Sequence, residues 1–295
     1  MQYEAVHRIR TWRDLKNRLD SDRRCYAFFH PRMPEEPLIF VEVALVKGMS
    51  DSVQRLLDEK APVLDPAAAD TAIFYSINNC QRGLDGISFG NFLIKRVVSL
   101  LQAELKNIRA FATLSPIPGF SRWLAAQLAE GDPALIEEEA AAVLRQHAPG
   151  SLALPAPASP GASAGMLAAP ILVETPVQTL ARVLARRGWQ REEALAKALE
   201  PVLLRACARY LLNESARAKA RRARDPVAHF HLSNGARVER LNWRADVSEK
   251  GMKESCGLMV NYLYDPARIE ENHEAYAGEG KRPAAAALRK LARVG

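Results

Sequence analysis

At 295 residues, 48% hydrophobic and 25% charged, the chain has an ordinary globular composition, which excludes global disorder and leaves room for one large domain or two modest ones. Its 41 basic and 34 acidic side chains leave a formal charge of +7, a surplus that suits nucleic acid, an anionic membrane surface or a small polyphosphate ligand. No run approaches the roughly 18 to 20 apolar residues of a membrane span.

The four cysteines (Cys25, Cys80, Cys207, Cys256) are far apart, with no CxxC spacing, which argues against a zinc site or a disulfide framework and for a reducing compartment. Met1 to His7 lacks the apolar core of a signal peptide, and Ala292-Arg293-Val294-Gly295 is not a peroxisomal ending, so the expected location is cytoplasmic. No aromatic-and-basic platform or nucleic-acid module is visible, so the expected partner is neither nucleic acid nor membrane.

In chain order, Thr11 to Leu19 opens with an N-cap and predicts a helix. Cys25 to His30 predicts a strand, Pro31, Pro34 and Pro37 a connector, and Leu38 to Val46 a strand buried on both faces. Ser50-Asp51-Ser52 caps a short helix to about Glu59, and Thr71 to Ile77 reads as the next strand. An amphipathic helix starts near Phe89, with Leu93, Val97, Leu101 and Leu105 on one stripe and Ile94 and Val98 beside it. The strand Ile108 to Leu114 completes a βαβ-type unit. Trp123 to His147 and Pro176 to about Ala223 read as helix. After Asp225-Pro226 the β-pattern returns, with strands at Val238 to Trp243 and Gly257 to Tyr264. The fold class is therefore α/β with a mixed sheet, one domain over 1–295, a mostly helical insertion at 121–224 and a low-complexity loop at 148–166.

Gly83, Gly86 and Gly90 lie between a strand and a helix, where backbone can approach a pyrophosphate at the positive end of the helix dipole. The glycines could equally make a tight turn and nothing more. Their spacing fits neither the Rossmann nor the Walker pattern. Gln81 to Gly90 resembles, loosely, the coenzyme A pyrophosphate loop of the GNAT acyltransferase superfamily.

Further segments narrow that likeness to one family. Phe74-Tyr75-Ser76-Ile77, Gly83-Leu84-Asp85-Gly86 and Phe92 to Val98, then Leu114-Ser115-Pro116-Ile117-Pro118-Gly119-Phe120, resemble malonyl-CoA decarboxylase. So do Asp225-Pro226-Val227-Ala228, Phe230-His231-Leu232, Asn234-Gly235-Ala236, Asn242-Trp243, Ala245 to Ser248 and Ser255 to Met259. The resemblance runs from about Glu4 to about Tyr264. It implies a GNAT-like catalytic domain that converts malonyl-CoA to acetyl-CoA and carbon dioxide without metal or organic cofactor, coenzyme A being part of the substrate. It implies catalytic roles for Ser115, His231 and Tyr264, and a malonyl-CoA-binding loop at Asp85, Gly86, Ile87, Ser88, Phe89, Gly90 and Asn91. It implies a homo-oligomer, and a helical domain that family members carry before the catalytic one and that this chain lacks. His229 departs from the family's usual asparagine.

Decarboxylation of a malonyl thioester leaves an electron pair that the thioester carbonyl accepts as an enolate. The protein must orient the carboxylate, stabilise the enolate oxygen and protonate the α-carbon. His231 suits protonation because an imidazole titrates near neutrality. Ser115, held extended by the following proline, suits holding the carboxylate and the imidazole; no nucleophile elbow surrounds it. Tyr264 or a backbone N–H at the end of the Thr71–Ile77 strand suits the enolate oxygen. Without the family resemblance, Ser115 and His231 would read as a strand-end serine and a satisfied structural histidine. His7, His30, His147 and His273 read as structural or exposed, Arg217 to Arg224 as a solvated helix face or, less simply, a partner for the 3′-phosphate of coenzyme A, and Cys256 as a small buried hydrophobe. Two other classes use the same features: an acyl-CoA-dependent acyltransferase, and a non-catalytic subunit that binds a coenzyme A thioester.

Overall fold

The computed structural model describes residue 4 and residues 6–81, 83, 90–149, 174–216 and 221–293; of 90–93 it describes the backbone alone. The chain divides into two compact units, Met1–Ser121 with Cys207–Arg293, and Arg122–Ala206. Residues 207–224, which composition alone places with the helical insertion, group with the sheet. Their apolar side chains Cys207, Tyr210 and Leu211 are buried.

The first unit opens with α1 (Trp12–Asn17), capped by the Thr11 hydroxyl, which accepts from the Asp14 N–H. Then β1 (Arg23–His30) and β2 (Met33–Val46) form an antiparallel hairpin. The expected connector at Pro31–Pro37 is mostly strand. The pairing is irregular on both sides of Phe29, which faces Pro37, and at such a bulge a proline's missing N–H costs no ladder bond. Val41 to Leu45 are buried on both faces, as their continuous apolar run predicts. The helix expected from Ser52 to Glu59 is one turn only, α2 (Val53–Leu56).

Antiparallel to β2 lies β3 (Thr71–Asn79), and parallel to β3 lies β4 (Ala110–Thr113), connected through α3 (Gly90–Glu104). This is the βαβ unit read from the sequence, and Ile94, Val97, Val98 and Leu101 of α3 are buried as the stripe requires. Each such side chain contributes about 1.5–3 kcal/mol on burial. Beyond β4 the short β5 (Ser115–Pro116) and β6 (Arg237–Asn242) both pair antiparallel with β7 (Met259–Leu263). The strand order is β1-β2-β3-β4-β7-β5, with β6 on β7, so the fold is α/β with a mixed sheet. One face carries a core of Ala44, Ile73, Tyr75, Leu114 and Met259 with Val53 and Leu56 of α2.

The second unit starts within α4 (Phe120–Glu130) and continues through α5 (Glu138–His147), α6 (Pro176–Ala185) and most of α7 (Glu193–Leu212). The long helices expected at 123–147 and 176–223 are each broken. Gly131 and Gly188 take left-handed backbone, φ +72° and +82°, and a single 3-10 turn follows each. Residues 150–166 of the low-complexity segment lie outside the described residues.

Back in the first unit, the β-pattern does not return at once after Asp225-Pro226: α8 (Pro226–Ser233) intervenes. Three further helices, α9 (Glu249–Ser255), α10 (Ile269–Glu279) and α11 (Ala286–Leu291), were not legible as such. Among the described residues no helix is long and apolar enough to cross a membrane.

Candidate active site

Where β4 passes into β5, the ladder to β7 opens. Ala112 pairs with Leu263 and Ser115 with Val260, but between them the Tyr262 N–H donates to the Thr113 side-chain hydroxyl at 3.1 Å. The Thr113 carbonyl meanwhile accepts from the Asn261 side-chain amide at 2.6 Å. Thr113 and Ser115 are two apart on extended chain and so share a face. The Ser115 hydroxyl donates to Thr113 Oγ1 at 2.8 Å.

His231 reaches the same point from α8. Asp225 is the N-cap of that helix: its Oδ1 accepts from Val227 N–H at 3.0 Å and Ala228 N–H at 2.9 Å, with Pro226 at the first helical position. Its Oδ2 takes the Gly119 N–H at 3.4 Å and the Tyr210 hydroxyl at 3.3 Å, tying the helix start to the segment after Ser115. Glycine is required at 119, because a Cβ there would lie 2.1 Å from the Tyr210 hydroxyl. The helix ends at Gly235, φ +78°, where a Cβ would meet the Ile269 carbonyl at 2.2 Å.

His231 Nε2 lies 3.1 Å from Ser115 Oγ, and Nδ1 lies 2.7 Å from the Tyr264 hydroxyl. The Tyr262 ring stacks on the imidazole, centroids 4.4 Å apart and 24° between planes, and Phe230 meets its edge. Ser115 is 5% exposed, His231 3% and Tyr264 1%. The three residues singled out in the sequence therefore converge, although 116 positions separate Ser115 from His231.

Burial, with a neutral hydroxyl at each ring nitrogen, pushes the His231 pKa down to about 3. The imidazole is thus uncharged at neutral pH, which corrects the expectation that it titrates there. Tyr264, pushed well above its ordinary value by the same burial, keeps its proton. An unfolded histidine binds its proton near pH 6.5, whereas His231 in the fold does so only near pH 3. Below pH 6.5 the unfolded chain therefore holds the extra proton. The stability from neutral His231 is complete above that pH and falls by about 1.4 kcal/mol per pH unit towards pH 3. Unfolding free energies of the wild type and His231→Asn, measured by urea from pH 4 to 7, should differ by a term of that slope; parallel curves would refute the buried neutral imidazole.

His229 does not join this group. Its Nδ1 lies 2.8 Å from the Tyr276 hydroxyl of α10, which also accepts the Ala223 N–H. His7 packs against the Tyr75 ring with its pKa lowered to about 4 by burial, and His273 Nδ1 meets the Ser233 carbonyl at 2.6 Å. Asp85, Gly86, Ile87, Ser88 and Phe89 lie outside the described residues, and Gly90 and Asn91 open α3. Arg217 and Lys219 are also outside; Arg221 donates to the Gly278 carbonyl. Cys256 is half-buried beside Ser121, and the cysteines are free thiols. Sequence reasoning missed Thr113, Tyr262 and the capping role of Asp225. Only the last had a local signal, an aspartate directly before proline.

The class is thus an α/β protein with a mixed sheet that buries a Ser–His–Tyr hydrogen-bond chain. A family model described as malonyl-CoA decarboxylase C-terminal domain matches residues 1–294. "Malonyl-CoA decarboxylase, mitochondrial" of Anser anser anser is 41% identical over 277 residues, 93% of this chain and 51% of that protein. The protein of the same name from Rattus norvegicus is 38% identical over 279 residues, 93% of this chain and 52% of that one. Crystal structures of malonyl-CoA decarboxylase from Rhodopseudomonas palustris (TM-score 0.79, 43% identity, 98% of this chain and 61% of that one) and Agrobacterium vitis (0.81, 41%, 99% and 62%) share the fold. The chain belongs to the malonyl-CoA decarboxylase family. It spans about half the length of the curated relatives it matches.

Proposed function

We propose that this chain carries the catalytic centre of a malonyl-CoA decarboxylase, converting malonyl-CoA and a proton to acetyl-CoA and carbon dioxide. The observation that carries the reading is the 3.1 Å approach of Ser115 Oγ to His231 Nε2 in a chain of this family. The bond between the carboxylate carbon and the α-carbon breaks, and its electron pair passes into the thioester as an enolate. That carbonyl is a sufficient electron sink, so the chemistry calls for no resident cofactor. Ser115, whose own proton goes to Thr113, holds the imidazole beside the place where the carboxylate must be oriented.

The α-carbon then takes the proton on His231 Nε2. The Tyr264 hydroxyl, 2.7 Å from Nδ1, steadies the ring from its other side through its hydrogen bond, and the proton consumed in the reaction then returns from solvent to Nε2, restoring the starting tautomer. Because its one proton is engaged with Nδ1, Tyr264 acts through the imidazole, and a backbone N–H is the better candidate donor to the enolate oxygen. The loop Asp85 to Asn91 is assigned to the coenzyme A moiety on the family resemblance alone. The free thiols fit any reducing compartment, cytoplasm or mitochondrial matrix alike, and a homo-oligomer remains the expected assembly.

Incubation of the purified protein with malonyl-CoA should release acetyl-CoA and carbon dioxide in equal amounts. No turnover above background at micromolar enzyme, or an acylated amine in place of acetyl-CoA when an amine is added, would overturn the assignment.

A further inference from the structure

We propose that Thr113 is a positioning residue that sets the tautomer of His231, acting through Ser115. A neutral imidazole has one proton to place, on Nδ1 or on Nε2, and only the second lies beside Ser115. The choice is made at the two ends of a buried chain of hydrogen bonds: Tyr264 hydroxyl, His231 Nδ1, His231 Nε2, Ser115 Oγ, Thr113 Oγ1.

At the tyrosine end, the phenol is the stronger acid and the imidazole nitrogen the stronger base, so the phenol donates and Nδ1 accepts. At the other end, Thr113 Oγ1 accepts the Ser115 proton as well as the Tyr262 N–H. With its proton turned to Thr113, Ser115 presents a lone pair to Nε2, and Nε2 must be the protonated nitrogen. Every donor then points the same way along the chain. The opposite direction would exchange the phenol-to-imidazole bond at Nδ1 for a weaker one from ring N–H to phenol oxygen, and would turn the Ser115 proton away from Thr113.

The opening of the ladder between β4 and β7 is what makes this possible. A regular antiparallel pairing would send the Tyr262 N–H to a backbone carbonyl. Here it goes to the Thr113 side chain, which fixes that hydroxyl on the face shared with Ser115. Thr113 is itself fully buried, so water does not compete for the bond.

The catalytic consequence rests on the decarboxylase reading; the tautomer does not. The test therefore has two arms. In protein carrying 15N-labelled histidine, long-range 15N–1H spectra should show His231 protonated at Nε2 and bare at Nδ1. A wild-type spectrum with the proton on Nδ1 overturns the proposal without any variant. In Thr113→Val, Ser115 is free to donate to Nε2, and the proton should move towards Nδ1. Malonyl-CoA turnover should then lose at least about tenfold in kcat with KM nearly unchanged; a wrong imidazole tautomer costs on the order of 10⁴ in a serine protease triad. Thr113→Ser keeps the acceptor and should restore both the spectrum and kcat. An unchanged tautomer in Thr113→Val, or failure of Thr113→Ser to restore it, overturns the proposal. Should Thr113→Val not fold, Tyr264→Phe removes the donor at the other end and should loosen the same preference; an unaltered His231 spectrum there counts equally against it. If the wild type turns over no malonyl-CoA while the spectra behave as stated, the decarboxylase reading fails and the tautomer assignment stands.

Discussion

His231→Ala lowers kcat for malonyl-CoA by a factor on the order of 10² to 10⁴, the usual span for a positioned general acid, while coenzyme A binding stays within a few-fold of wild type. The reason is the division of labour in the site. The imidazole meets both hydroxyls, Ser115 at 3.1 Å and Tyr264 at 2.7 Å, so its removal severs the chain at the middle. His229→Ala is the control. That ring bonds Tyr276 on the other side of α8, and its loss should leave kcat within about threefold. Steady-state acetyl-CoA release, with coenzyme A affinity by calorimetry, checks both. A dead His229→Ala beside an active His231→Ala would move the catalytic role two residues upstream.

Asp225→Ala should destabilise the protein by roughly 2–4 kcal/mol. Loss of an N-cap costs about 0.5–2 kcal/mol, and donors left unpaired in a buried place cost about 1–3 kcal/mol. Asp225 is 1% exposed and accepts from the Val227, Ala228 and Gly119 N–H groups and from the Tyr210 hydroxyl. Asp225→Asn keeps an oxygen for the helix cap but presents donors to Gly119 and Tyr210, so an intermediate loss is expected. Urea-unfolding midpoints order the three proteins. Since this cap sets the start of the helix that carries His231, kcat of Asp225→Ala should fall more than its KM rises. A variant as stable as wild type would remove Asp225 from the account of the site.

The sequence by itself determined the strand, helix, strand unit around α3, because two short, nearly continuous apolar runs flank a stretch whose apolar residues recur at helical spacing. It also determined the buried strand β2 and the cap at Thr11. The family likeness singled out Ser115, His231 and Tyr264 as chemistry-bearing. Prolines and glycines inside apolar stretches are harder to read: Pro37 is absorbed by a bulge, whereas Gly131 follows the last residue of α4 and Gly188 opens the 3-10 turn beyond α6, and which outcome applies depends on neighbours distant in sequence.

What only the tertiary structure decided is the charge state and direction of the site. His231 looks like a group that titrates near neutrality until burial, with a neutral hydroxyl at each nitrogen, removes the water that would solvate its cation. Thr113 looks like any strand threonine until the ladder opens and hands it the Tyr262 N–H. Both effects arise from desolvation and from hydrogen bonds between residues up to 149 positions apart, and neither leaves a local pattern for the sequence to display.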